Sequence, residues 1–225
     1  MQRTGLRARL VNLFRKRFDA FVVYSSYGKD VLRVNGVNPG QVFVATNVAD
    51  LTKHVKASKE ISRESARAEL SLDERFLVLF VGALTKAKRL EVLVEAAESL
   101  DPNRFHVVIV GDGEMLDWLA SEVERRGLTH VSLPGRVSGG IASYFAAADV
   151  VALPGRGGMV ISEAMAYGCP VIAYQADGTG FDLVVDGETG IRMKRGDSEE
   201  LLEAIESVAL EIDHFADPGH RERLA

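Results

Sequence analysis

Residues 76–110 read FLVLFVGALTKAKRLEVLVEAAESLDPNRFHVVIV. Two apolar runs, FLVLFV at 76–81 and FHVVIV at 105–110, enclose a stretch with helical patterning over about 88–100. Near-continuous apolar runs of this kind, broken only by His106, suit strands buried on both faces, as in a parallel sheet. The same rhythm continues in both directions. Strands are expected at Ala20–Ser25, Gln41–Ala45, His130–Leu133, Val150–Leu153, Val171–Tyr174 and Gly190–Met193, and helices at about 113–127, 139–148, 158–168 and 198–211. This alternation predicts a doubly wound α/β fold with a mainly parallel sheet. Residues 46–60 read as the longest irregular piece, and periodicity is lost from Asp213. The expected organisation is a basic connecting helix at 1–18, one α/β domain at 19–212 and an irregular tail at 213–225.

Composition narrows the class. The chain has 225 residues, of which 47% are apolar and 26% charged, the balance of an ordinary globular protein. A net charge of −5 argues against a general nucleic-acid binder. The single cysteine, Cys169, excludes an intrachain disulfide and a cysteine cluster for zinc, so a reducing, cytoplasmic location is expected. No run of eighteen apolar residues exists. Residues 1–18 hold six basic residues and no acid, with Leu6, Leu10, Leu13, Phe14 and Phe18 at helical spacing. Such a helix suits peripheral contact with an anionic membrane, a transit peptide, or a connection packed on the core; its direct run into a strand favours the connection.

In this fold ligands bind beyond the carboxyl ends of strands, so the informative residues should follow strands directly. After Val81 comes Gly82, whose bare backbone admits a ligand, and then Lys86 and Lys88 before a helix, suited to phosphate charge; taken alone, the loop reads more readily as a solvated basic turn. Val110-Gly111-Asp112-Gly113-Glu114 lacks the third glycine of a dinucleotide fingerprint; capping of the next helix by Asp112 or Glu114 is the expected purpose. Asp149 is expected to end a helix. Pro154-Gly155-Arg156-Gly157-Gly158 exposes amides directly before a helix, a phosphate cradle. Glu163, about one turn into that helix, suits a pair of ribose hydroxyls or, alternatively, a cap or salt bridge. The five histidines form no metal-binding pattern, and no Gly-x-Ser-x-Gly is present.

The order of these pieces resembles the C-terminal, donor-binding domain of the family 4 (group 1) glycosyltransferases, the Rossmann-like half of the GT-B fold. The stretches that carry it are FDAFVVYSS, QVFVATNVAD, VGALTKAKRLEVLVEAA, VVIVGDGEM, VSLPGRV, SEAMAYGCPVIAY and VVDGETGIRM, in family order from about Asp19 to Leu210. The resemblance implies a retaining glycosyltransferase that uses a nucleotide-sugar donor, no bound metal or cofactor, and an N-terminal acceptor-binding domain or subunit. Lys88 and Glu163 would be catalytic: Lys88 on the donor diphosphate, Glu163 on the ribose. Gly82 would line the site, Gly157, Gly158, Met159 and Val160 would cradle the diphosphate, and Arg136 and Val137 would border the base. Three positions depart from the family pattern: Gly155 stands where the first acid of a Glu-x7-Glu pair falls, Ala83 replaces an arginine, and Arg89 replaces the glycine after the lysine. Those departures keep a second class open, a non-catalytic donor-binding or scaffold subunit that works through a partner domain.

Overall fold

The computed structural model describes residues 17–46, 50–174 and 178–211. The expected basic helix lies outside the described residues except for Arg17 and Phe18, and the expected tail lies outside them entirely. The chain divides into two compact units, Met1–Val48 and Ala49–Ala225.

In the first unit, β1 (Phe21–Val23) leads through α1 (Ser26–Val34) and a 3-10 turn (Pro39–Gln41) to β2 (Val42–Val44). The strands pair in parallel, Phe21 opposite Val42, and a parallel pair needs the crossover that α1 supplies. Ser25 starts α1 by accepting a hydrogen bond from the Gly28 N–H at 3.2 Å, which satisfies one of the helix's first amides. The sequence pattern left this helix unassigned, because Tyr27, Val31 and Val34 are its only large apolar residues besides Leu32, and all three are exposed.

The second unit carries a six-stranded, all-parallel sheet. Its strands are β3 (Phe76–Val81), β4 (Phe105–Val110), β5 (Val131–Gly135), β6 (Val150–Leu153), β7 (Val171–Tyr174) and β8 (Gly190–Met193), in the spatial order β5-β4-β3-β6-β7-β8. Leu77, Val78, Leu79 and Phe80 are all buried, as are Val107 to Val110, so both faces of the central strands are covered. From β3 the chain steps outward through α4 (Leu90–Ser99) and α5 (Leu116–Arg125). It then returns through α6 (Ile141–Ala147), α7 (Val160–Met165) and α8 (Thr179–Leu183) on the other side of β3. Right-handed crossovers place these two runs of helices on opposite faces. The packing agrees: α4 touches α5 and α9 (Ser198–Leu210), while α6 touches α2 (Thr52–Glu60) and α3 (Arg63–Glu69). This is the doubly wound fold expected from the alternation. The strand order reverses between β3 and β6, and that border is where such a sheet opens a crevice for a ligand.

Residues 52–60 correct the sequence reading, which left 46–60 irregular. TKHVKASKE has no continuous apolar stripe, yet it forms α2. Asp50 accepts from the Thr52 N–H at 3.0 Å, and Val55 and Ala57 pack on the core. Tertiary contact supplies what the local pattern lacks.

Asp149 has a structural role at the opposite end of the sheet. It is buried, and its carboxylate accepts from Arg63 and Arg67, each at 2.7 Å, and from the Leu77 N–H at 2.7 Å. Arg67, itself 2% exposed, donates further to the carbonyls of Ala147, Asp73 and Arg75. Burial draws the Arg67 pKa down, while the Asp149 carboxylate holds it up. The cluster ties α3 to the starts of β3 and β6.

Candidate functional site

The loops after β3 and β4 are joined at backbone level. The N–H of Gly82 donates to Val110 O at 3.0 Å, that of Leu84 to Asp112 O at 2.9 Å, and that of Met115 to Leu84 O at 2.9 Å. A Cβ on Gly111 would stand 1.9 Å from Gly82 O, and one on Gly113 would stand 2.6 Å from Leu84 O. The Gly-x-Gly turn therefore serves close approach between two loops. The expected capping is not found: Asp112 accepts from the adjacent Gly113 N–H at 2.7 Å, Glu114 accepts from the Lys86 N–H at 3.4 Å, and the N-cap residue of α5, Met115, gives it no side-chain cap.

The turn after β6 meets the loop after β3 across the switch point. The Lys88 ammonium donates to the carbonyls of Arg156 and Gly157, the latter at 3.1 Å. The Arg156 N–H returns a bond to Ala87 O at 3.1 Å. Gly155 is buried in this seam, where a Cβ would stand 2.4 Å from both Ala87 O and the Lys88 carbonyl carbon. Any side chain is excluded there, which gives a physical reason for the missing acid. The Lys88 stem also covers Gly82, its Cε lying 3.7 Å from where a Cβ would stand.

Beyond that seam, the N–H groups of Gly158, Met159 and Val160 donate to no group among the described residues. Gly158 sits at φ +86°, a left-handed conformation that glycine adopts freely. Glu163 is half-buried on α7, and its carboxylate makes no hydrogen bond or ion pair among the described residues. The capping and salt-bridge alternatives for Glu163 find no partner among the described residues. One turn on, Tyr167 stacks on Phe145 at 5.5 Å, and its hydroxyl meets His54 Nδ1 at 3.3 Å. Burial raises the Tyr167 pKa, and the Glu163 charge raises it further. Sequence reading gave no sign of this neighbourhood, because His54 and Tyr167 are 113 positions apart.

Arg136 and Val137 follow β5 at the sheet edge, three strands from β6. At about 4.8 Å per strand, they stand roughly 14 Å along the same rim. Arg136 is exposed, while Val137 packs on the core. The structure thus brings Gly82, Lys88 and residues 155–157 into one seam, with Gly158, Met159 and Val160 directly after it and Glu163 one turn further on, and leaves Arg136 and Val137 at the far end of the rim. Among the described residues, no group of three or more His, Cys, Asp or Glu side chains is placed to hold a metal ion. His214 and His220 lie outside the described residues.

Arg89, which follows Lys88, adopts φ 53° and ψ 45°. A non-glycine residue there costs about 1–2 kcal/mol. Its guanidinium lies 5.0 Å from the centre of the Tyr174 ring, a cation–π contact of about 0.5–2 kcal/mol.

Comparison with known proteins bears on the family and the fold. Residues 62–222 match the family of glycosyl transferases group 1. A D-inositol 3-phosphate glycosyltransferase of Rhodococcus erythropolis is 32% identical over 92% of this chain and 48% of that protein. The alpha-D-kanosaminyltransferase of Streptomyces kanamyceticus is 34% identical over 74% of this chain and 44% of that one. The chain spans about half the length of these relatives. The crystal structure of Anabaena HepE in complex with UDP-glucose matches at a TM-score of 0.70 and 26% identity, over 93% of this chain and 59% of that one. With the family match running from α3 through the switch-point seam and beyond α9, the chain belongs to the glycosyl transferases group 1.

Proposed function

We propose that the chain is the donor-binding part of a retaining glycosyltransferase that moves a sugar from a nucleotide-sugar to an acceptor. The observation that carries the reading is the seam at the switch point. A lysine from the β3 loop reaches the glycine turn of β6, directly before three N–H groups and a carboxylate that have no partner among the described residues. Lys88 and the amides of Gly158, Met159 and Val160 hold the diphosphate, with Gly82 and Gly157 leaving room for it. Glu163 accepts both ribose hydroxyls, and the base extends along the rim toward Arg136 and Val137. As the sugar–oxygen bond breaks, charge grows on the departing diphosphate. A fixed ammonium and fixed amides stabilise that charge without reorganising. Retention of the anomeric configuration and independence from a metal rest on family membership. The acceptor is positioned by further chain of the kind that the longer relatives carry, either in one polypeptide or as a subunit. The cytoplasm, with peripheral membrane contact through residues 1–18, is the location proposed.

One observation favours a second reading, a non-catalytic donor-binding subunit. The seam at Gly155 excludes the acid that group 1 members use on the donor sugar. Titrating UDP, GDP and ADP by calorimetry, with and without EDTA, tests the shared donor site. Binding by at least one, unchanged by EDTA, is expected; no binding at millimolar concentration refutes both readings. Nucleotide release from labelled nucleotide-sugars, assayed with an N-terminal acceptor domain supplied, then separates them. Turnover supports the enzyme, and tight binding without turnover supports the subunit.

A further inference from the structure

We propose that Arg89 is a positioning residue for the donor diphosphate: braced on Tyr174, it holds the tight turn from which Lys88 reaches the glycine segment. This deepens the donor-site reading and rests on Lys88 facing the diphosphate. Among the described residues only Ser71 and Arg89 are non-glycine residues at positive φ. Arg89 closes the 3-10 turn Lys86–Lys88 and is also the N-cap of α4, so its backbone sets the direction in which Lys88 leaves the loop. Glycine would take this conformation without strain, so an arginine persists only if its side chain gives something back.

The side chain has a built seat. Its guanidinium stacks on Tyr174 at the end of β7. Gly196, after β8, is bare where the pair passes: a Cβ there would stand 2.5 Å from the Tyr174 ring and 2.8 Å from an Arg89 terminal nitrogen. The loop that carries Gly196 is itself fixed. The N–H groups of Lys194, Arg195 and Gly196 all donate to the Glu200 carboxylate, at 2.8, 2.7 and 2.7 Å. In the sheet β6 lies between β3 and β7, so the Arg89–Tyr174 pair links the two strands that flank the glycine turn. Lys88 grips that turn while Arg89 anchors the same loop to its neighbour. The left-handed bend at residue 89 is held by the ring rather than by backbone preference.

The test compares binding of UDP, GDP and ADP with binding of the matching nucleosides, by calorimetry and ligand-observed NMR. The readout is the affinity ratio of diphosphate to nucleoside, together with the melting temperature. Lys88→Ala should collapse the ratio. Arg89→Gly removes the brace and relieves the backbone, so the ratio should fall about 2- to 30-fold with no loss of melting temperature. Tyr174→Leu keeps the arginine's charge but removes its seat. It should lower the ratio to a similar extent, and the double variant should fall no further. A ratio that survives both Arg89→Gly and Tyr174→Leu, while Lys88→Ala lowers it, overturns the proposal. So does a purely structural result, with melting temperature, diphosphate and nucleoside affinity all falling in proportion. If Lys88→Ala itself leaves the ratio unchanged, or none of the three diphosphates binds, the donor reading fails and this inference fails with it.

Discussion

Gly155 is the most exacting point of the seam, and Gly155→Ala isolates it. Its φ is not positive, so alanine meets no backbone penalty and the cost is contact alone. The new methyl would stand 2.4 Å from Ala87 O and the Lys88 carbonyl carbon, and 2.6 Å from Lys88 Cα. All three are backbone atoms, which cannot swing aside as a side-chain end would, so the two loops must part. Overpacking of this kind costs about 1–3 kcal/mol, and the Arg156–Ala87 hydrogen bond contributes about 0.5–1.5 kcal/mol more. A loss of about 1.5–4.5 kcal/mol in a unit of this size lowers the melting temperature by roughly 3–18 °C. Separating the loops also moves Lys88 off the turn. A charge-assisted contact worth about 1.5–3 kcal/mol then goes missing, and nucleoside diphosphate affinity falls roughly 10- to 150-fold. Thermal unfolding by circular dichroism and calorimetric titration with UDP, GDP and ADP read the two effects. Gly155→Glu, although it restores the family's acid, should be at least as damaging, because its Cβ meets the same wall. A Gly155→Ala variant with wild-type melting temperature and affinity refutes the account of the seam.

Glu163→Ala should weaken diphosphate binding roughly 10- to 150-fold and leave the melting temperature within about 1 °C; a large fall in melting temperature with affinity intact contradicts the ribose role. Asp149→Ala leaves Arg67 buried and uncompensated, so chemical denaturation should show a loss of about 3–5 kcal/mol, and a loss below 1 kcal/mol would contradict the clamp. Burial, and then the Arg75 charge, hold the His106 pKa below its ordinary 6.5. The folded state therefore takes up its proton less readily than the unfolded state. The stability this histidine contributes is present above about pH 6.5 and is lost as pH falls toward its folded pKa. His106→Gln should flatten the fall in melting temperature between pH 7 and pH 5.5, and an unchanged slope rules out this contribution.

The doubly wound fold is legible in the amino-acid pattern alone, and so are the loops that carry the candidate site. FLVLFV is apolar throughout, and FHVVIV at every position but His106, because both faces of β3 and β4 are covered, and that cause is local enough to read. The glycines after β3, β4 and β6 announced strand ends for the same reason. What sequence periodicity missed depends on atoms far apart in the chain. The helix at Thr52–Glu60 forms on packing rather than pattern. The division at Val48 is invisible, since residues 21–44 alternate strand and helix as residues 76–193 do. Asp149 became a clamp only when Arg67, 82 positions earlier, was brought against it. In sequence Gly155 is a missing acid; in the fold the backbone of Lys88 fills the space a side chain would need. Periodicity reports which face is buried; it carries no information on which loops meet, because strand order sets that, and strand order is decided by the packing of the whole sheet.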